Sequence, residues 1–600
     1  MCGIVGILSY GDNSPKVDKS ELLKIRDYMT NRGPDDCGIF LSEDNRIGLG
    51  HRRLSIIDTS ENGKQPMMSN DGNVLIVFNG EIYNFRQIRR DLENNGYTFF
   101  SNSDTEVLIQ LYKQKKLEMV NDLEGMYSFI LYDKKEETVF IVRDPLGIKP
   151  LYYSDDGNVI RVASQVKALI SGGYIQRDME PAGQVGFFLW GYVPEPFTLY
   201  KNIHAVPAGN IITINISKKH NRARRIYKRC FCNVSSEIES LSNINLHVNR
   251  TETKEHLRKE LRATVDKHLV SDVPVGIFLS SGIDSTTLAA TAKDLHHNFG
   301  TITLGFKEFE GTIHNEVPLA EAFARKYNLQ HQTIWLTQDD FLEAHDDFIK
   351  SMDQPTIDGI NSYFISLAAK RAGLKVALSG IGADELFGGY PSFKQIPTSV
   401  NLFKHFRNTP CLGKALRGLL LKLLPSKLSP KYAGVFEYGG EHESAYLLRR
   451  CLMAPWELSN HLDESTLNAG LNRLETENFL KSATDNIHSA YLKVTALEMS
   501  AYMKNQLLRD CDWASMAHSL EIRVPYADMT FIKSIIPYTN GLKNNGKQIL
   551  GQTPQEALPD EILARPKTGF SVPIHEWQTN RLNTHRGLTE WATHIYSKFD

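Results

Sequence analysis

The chain has 600 residues, more than one hydrophobic core can serve, so two or three domains are expected. Its composition is 41% hydrophobic and 23% charged with a net charge of −2, which suits an ordinary globular protein and excludes a global pull toward nucleic acid or membrane. No apolar run reaches the roughly 18 residues of a membrane span, and the seven cysteines contain no Cys-x-x-Cys pair, which argues against a zinc ribbon or a disulfide framework.

The first six residues, Met1-Cys2-Gly3-Ile4-Val5-Gly6, read as a buried strand whose second residue becomes the amino terminus once Met1 is removed. Such a cysteine carries a thiol beside an amine of pKa about 7.7–8.0 that can take its proton, so one residue supplies nucleophile and base. A buried structural cysteine is the bland alternative if the hexapeptide stood alone. Met1-Cys2 leaves no room for a signal peptide, and a reducing cytoplasm that keeps Cys2 usable is the expected location.

Short β-like runs follow at Val74–Phe78, Tyr127–Tyr132, Thr138–Val142 and Ile211–Ile216, punctuated by turn signals at Asn70-Asp71-Gly72 and Asp155–Asn158. Helical pieces at Phe85–Asn94 and Asp104–Lys115 fall between them. Residues 1–215 thus predict an α+β domain of stacked antiparallel sheets. Residues 216–250 are polar and read as a linker. In residues 251–600 the apolar runs Val275–Leu279, Thr301–Phe306 and Lys375–Leu378 alternate with helices, an α/β pattern that predicts a parallel sheet, and beyond Pro391 the chain reads as mostly helical.

In the first domain, Arg53 within Gly50–Ile56 could clamp a carboxylate through a fixed guanidinium. Asn79-Gly80, directly after a strand, place an amide donor beside a bare backbone N–H, the equipment of an oxyanion hole. Asp104, in Ser103–Glu106, is a carboxylate suited to an ammonium. Each has a bland reading: a surface ion pair, a common turn, a helix cap. Together with Cys2, Asn31–Asp35, His51–Asp58, Phe78–Tyr83 and Val142–Tyr152, they resemble the class II glutamine amidotransferase domain, an N-terminal-nucleophile hydrolase. The resemblance implies that Cys2 attacks the glutamine amide and that Asn79 and Gly80 stabilise the oxyanion. It implies that Arg53, Leu54, Ile56, Glu81 and Asp104 bind glutamine, and that the product is ammonia.

In the second domain, Phe278–Ser285 runs from a strand through small residues into a helix expected over Thr286–Leu295, a natural phosphate cradle. Asp284 could hold magnesium against that phosphate, and Asp384, in Leu378–Tyr390, is a second candidate ligand. A plain strand-helix connection and a helix cap are the bland readings. The first segment resembles the pyrophosphate motif of ATP pyrophosphatases, with Ser281 in place of the first glycine. With Arg509–Pro525 and Arg565–Phe570, the likeness extends to the glutamine-hydrolysing asparagine synthetases over nearly the whole chain. It implies that ATP with Mg2+ binds at Leu279, Ser280, Ser281, Gly282, Asp284, Ser285, Ser379, Gly380 and Lys547. An acceptor carboxylate, aspartate by default, is then adenylated, and ammonia made at Cys2 travels through the protein to displace AMP.

One position departs from the pattern. Family members carry an acid between the first two glycines of Ser-Gly-x-Gly, where this chain has Ile381. Either another acid replaces it, with Glu385, Asp358 and Glu316 as candidates, or the acceptor is another carboxylate, such as a surface-glycan uronic acid. A glutaminase with a degenerate synthetase half is the third reading. Residues 401–432 form a second oddity, with Lys404, Arg407, Lys414, Arg417, Lys422, Lys427 and Lys431, leucines at helical spacing and no Asp or Glu. An amphipathic helix packed on the core is the expectation there, with an anionic membrane or polymer surface as the alternative. The composition points to no nucleic-acid partner and allows a homodimer.

Overall fold

The computed structural model describes residues 2–11, 14–216, 226–244, 246, 249–425, 428–542, 545–567, 569, 572–573, 577 and 587–599. Met1, Lys427, Thr568 and Phe570, named above, lie outside them.

The N-terminal half contains twelve strands: β1 (Gly3–Ser9), β2 (Asp36–Leu41), β3 (Ile47–Arg53), β4 (Met67–Met68), β5 (Val74–Ile82), β6 (Gly125–Asp133), β7 (Thr138–Arg143), β8 (Tyr152–Asp155), β9 (Val159–Ala163), β10 (His204–Ala205), β11 (Asn210–Asn215) and β12 (Ile226–Cys230). They form two six-stranded antiparallel sheets, ordered β10-β8-β9-β1-β3-β2 and β12-β11-β7-β6-β5-β4. The period-2 alternation of the sequence explains the stacking. Ile4 and Leu8 of β1 meet Leu75, Val77, Ile130 and Ile141 of the other sheet. Val5 and Ile7, on the opposite face, pack with Leu22 and Ile25 of helix α1 (Lys19–Tyr28). Helices α2 (Phe85–Asn94) and α3 (Asp104–Lys115) cover the outside of the second sheet and lie where the sequence places them. The polar seam is not structureless: β12 pairs with β11 and completes the second sheet, and a helix spans Val234–Ser242.

The C-terminal half is built on a five-stranded parallel sheet of β13 (Val275–Phe278), β14 (Gly300–Phe306), β15 (Gln330–Leu336), β16 (Val376–Leu378) and β17 (Glu521–Arg523), ordered β15-β14-β13-β16-β17. The chain leaves β13 through helix α4 (Ile283–Asp294), which begins three residues earlier than the sequence suggests, to β14 on one side, and β16 adds on the other. Neighbours of β13 therefore depart in opposite directions, and a crevice opens at the carboxyl ends of β13 and β16. Helices then dominate, among them α5 (Ser392–Phe403), α6 (Pro410–Leu423) and α7 (Arg509–Met516), the last preceded by a π-helical stretch, Glu498–Leu508. No described helix is long and apolar enough to cross a membrane.

Candidate active sites and the seam between them

β1 carries Cys2 into the interior, where the residue is only 8% exposed and burial pushes its thiol pKa up. A backbone hydrogen bond from Leu54 and the charge of Arg53 act in the opposite direction. The Cys2 nitrogen donates to Asn79 Oδ1 at 2.9 Å. That bond fixes the orientation of the Asn79 amide, and its Nδ2, fully buried, has no partner. A buried donor without an acceptor is costly unless something arrives to fill the place. Gly80 follows with φ +149°, and a Cβ there would lie 2.1 Å from the Met126 carbonyl oxygen, so no side chain can crowd this end of β5. Thiol, backbone nitrogen, amide donor and glycine thus come together, though Asn79 and Gly80 lie within β5, paired with Ser128 and Tyr127 of β6, and not after the strand as the sequence suggests.

Other residues expected here are more committed. The Arg53 guanidinium donates to the carbonyls of Ser60, at 2.9 Å, and Asp58, and so shapes the 57–60 turn. Ile56 offers its carbonyl to Asp272 N–H at 3.1 Å, across to the other half of the chain. Asp104 Oδ2 accepts from Ile82 N–H at 3.1 Å, and burial pushes its pKa up to about 6. Glu81, also raised by burial, faces Arg523 of β17 at 3.3 Å.

That last pair opens onto a network the sequence did not announce. Arg523, fully buried, donates from Nε to Glu521 at 2.7 Å and from Nη1 to the His268 and Val270 carbonyls, at 2.8 and 2.6 Å. Its own carbonyl accepts from Ser379 N–H at 2.9 Å, at the head of the glycine-rich loop. Arg32 makes the second crossing: Nε donates to the Cys2 carbonyl at 3.1 Å, and the two terminal nitrogens grip Asp512 of α7 at 2.7 and 3.2 Å. Both partners are nearly inaccessible to water, so each charge depends on the other for most of its solvation. Arg32→Met is accordingly expected to cost about 3–5 kcal/mol by stranding Asp512. Thermal unfolding should show most of that loss recovered in Arg32→Met/Asp512→Leu, and equal melting temperatures for the single and double variants would exclude the coupling. Arg32, Asp512 and Arg523 lie inside the quoted motifs, yet only folding reveals that they meet.

The second site occupies the crevice at the ends of β13 and β16, a cavity of about 620 Å³. Ser280 and Ser285 tie the first loop: Ser280 N–H donates to Ser285 Oγ at 3.0 Å, and Gly282 N–H to Ser280 Oγ at 3.1 Å. Ser281 Oγ is buried without a hydrogen-bond partner. Across the cavity, Ser379 and Gly380 lead into Asp384. Lys547 bridges Asp284 and Asp384, lying 2.7 Å from Asp384 Oδ1, and Lys567 also pairs with Asp384. Burial works against the Asp384 carboxylate, but the two ammonium groups overcome it and hold its pKa down to about 2. A Cβ on Gly389 would sit 1.8 Å from Asp384 Oδ1, so the glycine keeps this cradle open.

Among the described residues no group of three or more His, Cys, Asp or Glu could cage a metal. Two converging carboxylates beside lysines instead suit a magnesium that takes its remaining ligands from phosphate oxygens and water. The residues present therefore fit such an ion, and Asp284 and Asp384 are the ones that would hold it.

The far wall of the cavity includes Ile381, Glu385, Asp358, Glu316, Tyr390 and Tyr502. Ile381 packs against the hydrophobic core. Glu385, fully buried, accepts from Tyr390 OH at 2.9 Å on one oxygen and has no partner on the other, and burial with the neighbouring Asp384 pushes it up to about 7. Asp358 is likewise raised by burial and accepts from Asn361 at 3.2 Å. Glu316 lies 3.7 Å from Arg565 and is raised by burial to about 7. Cys511, on α7, lines this same cavity one residue before Asp512. The helix α7 is thus the partition between the two sites.

Residues 1–227 match a family model described as a glutamine amidotransferase domain, and residues 256–594 one described as asparagine synthase. The chain is 32% identical to glutamine-hydrolysing asparagine synthetase 1 of Bacillus subtilis (strain 168), covering 99% of this chain and 90% of that protein. It is 30% identical to asparagine synthetase B of Escherichia coli (strain K12), over 67% of each. Among solved structures, a glutamine phosphoribosylpyrophosphate amidotransferase from B. subtilis aligns with 66% of this chain and 77% of its own at 15% identity, with a TM-score of only 0.29. Matches that span both halves in the order of the two sites, one of them over more than half of the chain, show that this chain belongs to the family of glutamine-hydrolysing asparagine synthetases.

Proposed function

We propose that the chain converts aspartate to asparagine with nitrogen taken from glutamine, in two half-reactions on either side of α7. The observation that carries the reading is the pair of buried arginines, Arg32 and Arg523, each of which touches both halves of the chain. We assign glutamine hydrolysis to residues 1–215 and amide formation to 251–600, with 216–250 between them.

In the first half-reaction the Cys2 amine takes the thiol proton, and sulfur attacks the glutamine amide carbon. Asn79 Nδ2 and the Gly80 N–H take the developing oxyanion. The amine passes that proton to the departing nitrogen, so ammonia leaves as a thioester forms, and water then hydrolyses the thioester to release glutamate and restore the thiol. Asp104 and Glu81 receive the glutamine ammonium; Arg53, with Leu54 and Ile56, lines the carboxylate end. In the second, ATP adenylates the aspartate side-chain carboxylate and pyrophosphate leaves; ammonia displaces AMP from the activated acyl group. Leu279, Ser280, Ser281, Gly282 and Ser285 cradle the phosphates with Ser379 and Gly380. Lys547 and Lys567 offset their charge. Magnesium, when bound at Asp284 and Asp384, supplies further positive charge to the leaving pyrophosphate. Ammonia in bulk water is mostly ammonium, so a dry passage beside α7 keeps it nucleophilic. A reducing compartment such as the cytoplasm keeps Cys2 a thiol; all seven cysteines are unpaired here.

Pyrophosphate release with ATP, magnesium and glutamine, with and without aspartate, tests the reading. Aspartate-dependent pyrophosphate and asparagine are expected. Glutamate without aspartate-dependent pyrophosphate would overturn aspartate as acceptor and direct the search to other carboxylates, uronic acids first.

With isoleucine at position 381, the acid that orients the acceptor ammonium has to come from elsewhere, and we assign that role to Glu385. A carboxyl whose pKa stands near 7 is neutral below that pH and anionic above it. The kcat/KM for aspartate in pyrophosphate release should therefore rise through about pH 7, since only the anion holds an ammonium. Glu385→Gln should lower it about 100-fold and flatten the rise; a variant that keeps the wild-type pH profile would remove Glu385 from the acceptor site.

A further inference from the structure

The basic stretch 401–432 does not bury its leucines. Among the described residues, nineteen large hydrophobic side chains are exposed, and seven of them fall in these 32 residues: Leu402, Leu412, Leu419, Leu421, Leu423, Leu428 and Tyr432. Such a concentration sets this face apart from the scattered exposed apolar residues of any protein surface.

The way α6 is attached explains the arrangement. Gly413 lies on the inner side, where a Cβ would stand 2.8 Å from the Glu437 Cα, so the helix approaches its neighbour closely through a residue with no side chain. Arg417 adds a second anchor, pairing with Glu437 at 3.0 Å while its guanidinium lies 4.5 Å from the centre of the Trp456 ring. Gly413 and Arg417 thereby face inward, with Leu416, Leu420 and Leu424 half-buried beside them, while Lys414 and Lys422 stay exposed. Leu412, Leu416, Leu419 and Leu423, spaced 4, 3 and 4 residues apart, form one stripe about 16 Å long. Leu412, Leu419 and Leu423 are 51%, 56% and 69% exposed. The helix is packed on its neighbours, with Gly413 and Arg417 at the contact, and it leaves the Leu412, Leu419 and Leu423 side of its leucines exposed.

The charge around the stripe has one sign. Residues 401–432 contain no Asp or Glu. Arg407 and Arg417 are engaged by Glu441 and Glu437, whereas Lys404, Lys414 and Lys422 are exposed and have no ion-pair partner among the described residues. A second copy laid on the same face would bring lysine against lysine. An acidic polar surface would satisfy the lysines and leave the leucines in water. An anionic bilayer offers both complements at once, phosphate at the surface and hydrocarbon beneath it.

We propose that the α5–α6 face is a docking surface for an anionic lipid membrane, on which the protein rests peripherally with the Leu412–Leu423 stripe inserted at the headgroup boundary. The proposal is independent of the acceptor at the active site. The proposal invokes no span, and no described helix is long and apolar enough to cross.

Co-sedimentation of the full chain with phosphatidylcholine vesicles, with and without phosphatidylglycerol, tests it. Wild type should bind the phosphatidylglycerol vesicles at least about 10-fold more tightly, and added salt should weaken that preference. Leu419→Ser/Leu423→Ser, at exposed positions that leave the fold intact, should lose binding to both vesicle types while glutamine hydrolysis is unchanged. Lys414→Gln/Lys422→Gln should lose only the preference for the anionic lipid. Equal binding of wild type to both vesicle types, or wild-type binding retained by the leucine variant, would overturn the proposal. So would a dimer in light scattering that the leucine variant dissociates, since the face would then join two copies of the chain.

Discussion

Cys2→Ala is expected to abolish amide formation from glutamine, by about 10⁴-fold or more, while amide formation from added ammonia persists. The asymmetry follows from where the thiol sits. Cys2 carries the thiol on the residue whose nitrogen is held by the Asn79 amide, and without that sulfur no thioester can form. The side chain removed is small, and the contacts that tie this end of β1 to the rest of the chain are made by its backbone: the nitrogen to Asn79 and the carbonyl to Arg32. Alanine preserves both. The Arg32–Asp512 pair and α7 should therefore stay in place, and with them the wall of the second cavity. Glutamate production, pyrophosphate release and amide formation, measured with glutamine and then with ammonium salt at mildly alkaline pH, give the full pattern. Loss of both nitrogen sources in a folded variant would mean that the two half-reactions do not occupy separate sites.

Asn79→Ala makes a useful contrast. Its Oδ1 holds the Cys2 nitrogen and its Nδ2 is an unused buried donor, so the substitution removes an anchor of the nucleophile and an oxyanion donor together. The fold expectations from the sequence rested on similarly local signals. The β-runs around Val74, Tyr127, Thr138 and Ile211 and the two helices Phe85–Asn94 and Asp104–Lys115 are visible because alternating and helical hydrophobic periods are local properties. β12 was hidden in the seam because Ile226–Cys230 is a polar, exposed edge with little alternation; its strand exists through pairing with β11. The two pockets were legible because their chemistry is carried by short contiguous motifs, such as Phe78–Tyr83 and Phe278–Ser285, that can each be read locally.

The seam between the pockets was not legible for the opposite reason. Arg32 and Asp512 stand 480 residues apart, and no spacing rule relates them. Arg523 and Glu521, on one face of a three-residue strand, are an ordinary pair until Glu81 arrives from the other half. Burial also reverses simple expectations about charge. Glu385, an anion by its model-peptide pKa, stands near 7, whereas the neighbouring, less buried Asp384 is held near 2 by two lysines. The leucines of α6 mislead in the same way: helical periodicity identifies the stripe, but only the position of Gly413 tells which side of the helix is turned inward.

The different states of Asp384 and Glu385 lead to the second large effect. Asp384→Asn is expected to reduce pyrophosphate release about 1,000-fold with either nitrogen source, because the charge it removes is the one on which Lys547 and Lys567 converge in the proposed phosphate site. Lys547 lies between Asp284 and Asp384, and Lys567 reaches the same carboxylate. Asparagine is nearly the same size, so the cradle beside Gly389 keeps its shape, but two ammonium groups are left with Asp284 as their remaining carboxylate among these three acid-base pairs. Lys547 then pairs more fully with Asp284, which withdraws one candidate magnesium ligand as the other is lost. Ammonia should not rescue this variant, in contrast to Cys2→Ala, since the defect precedes nitrogen attack. Glutamate formation should continue, because the glutamine pocket is linked to this loop through Ser379 and Arg523 and not through Asp384. Parallel assays of pyrophosphate and glutamate across a magnesium titration distinguish the outcomes. A Lys547→Ala variant as active as wild type, or undiminished pyrophosphate release from Asp384→Asn, would place the phosphates elsewhere in the cavity. Inactivity that raised magnesium partly restores would instead identify Asp384 as a direct ligand, since weaker coordination can be overcome by mass action whereas a lost structural contact cannot.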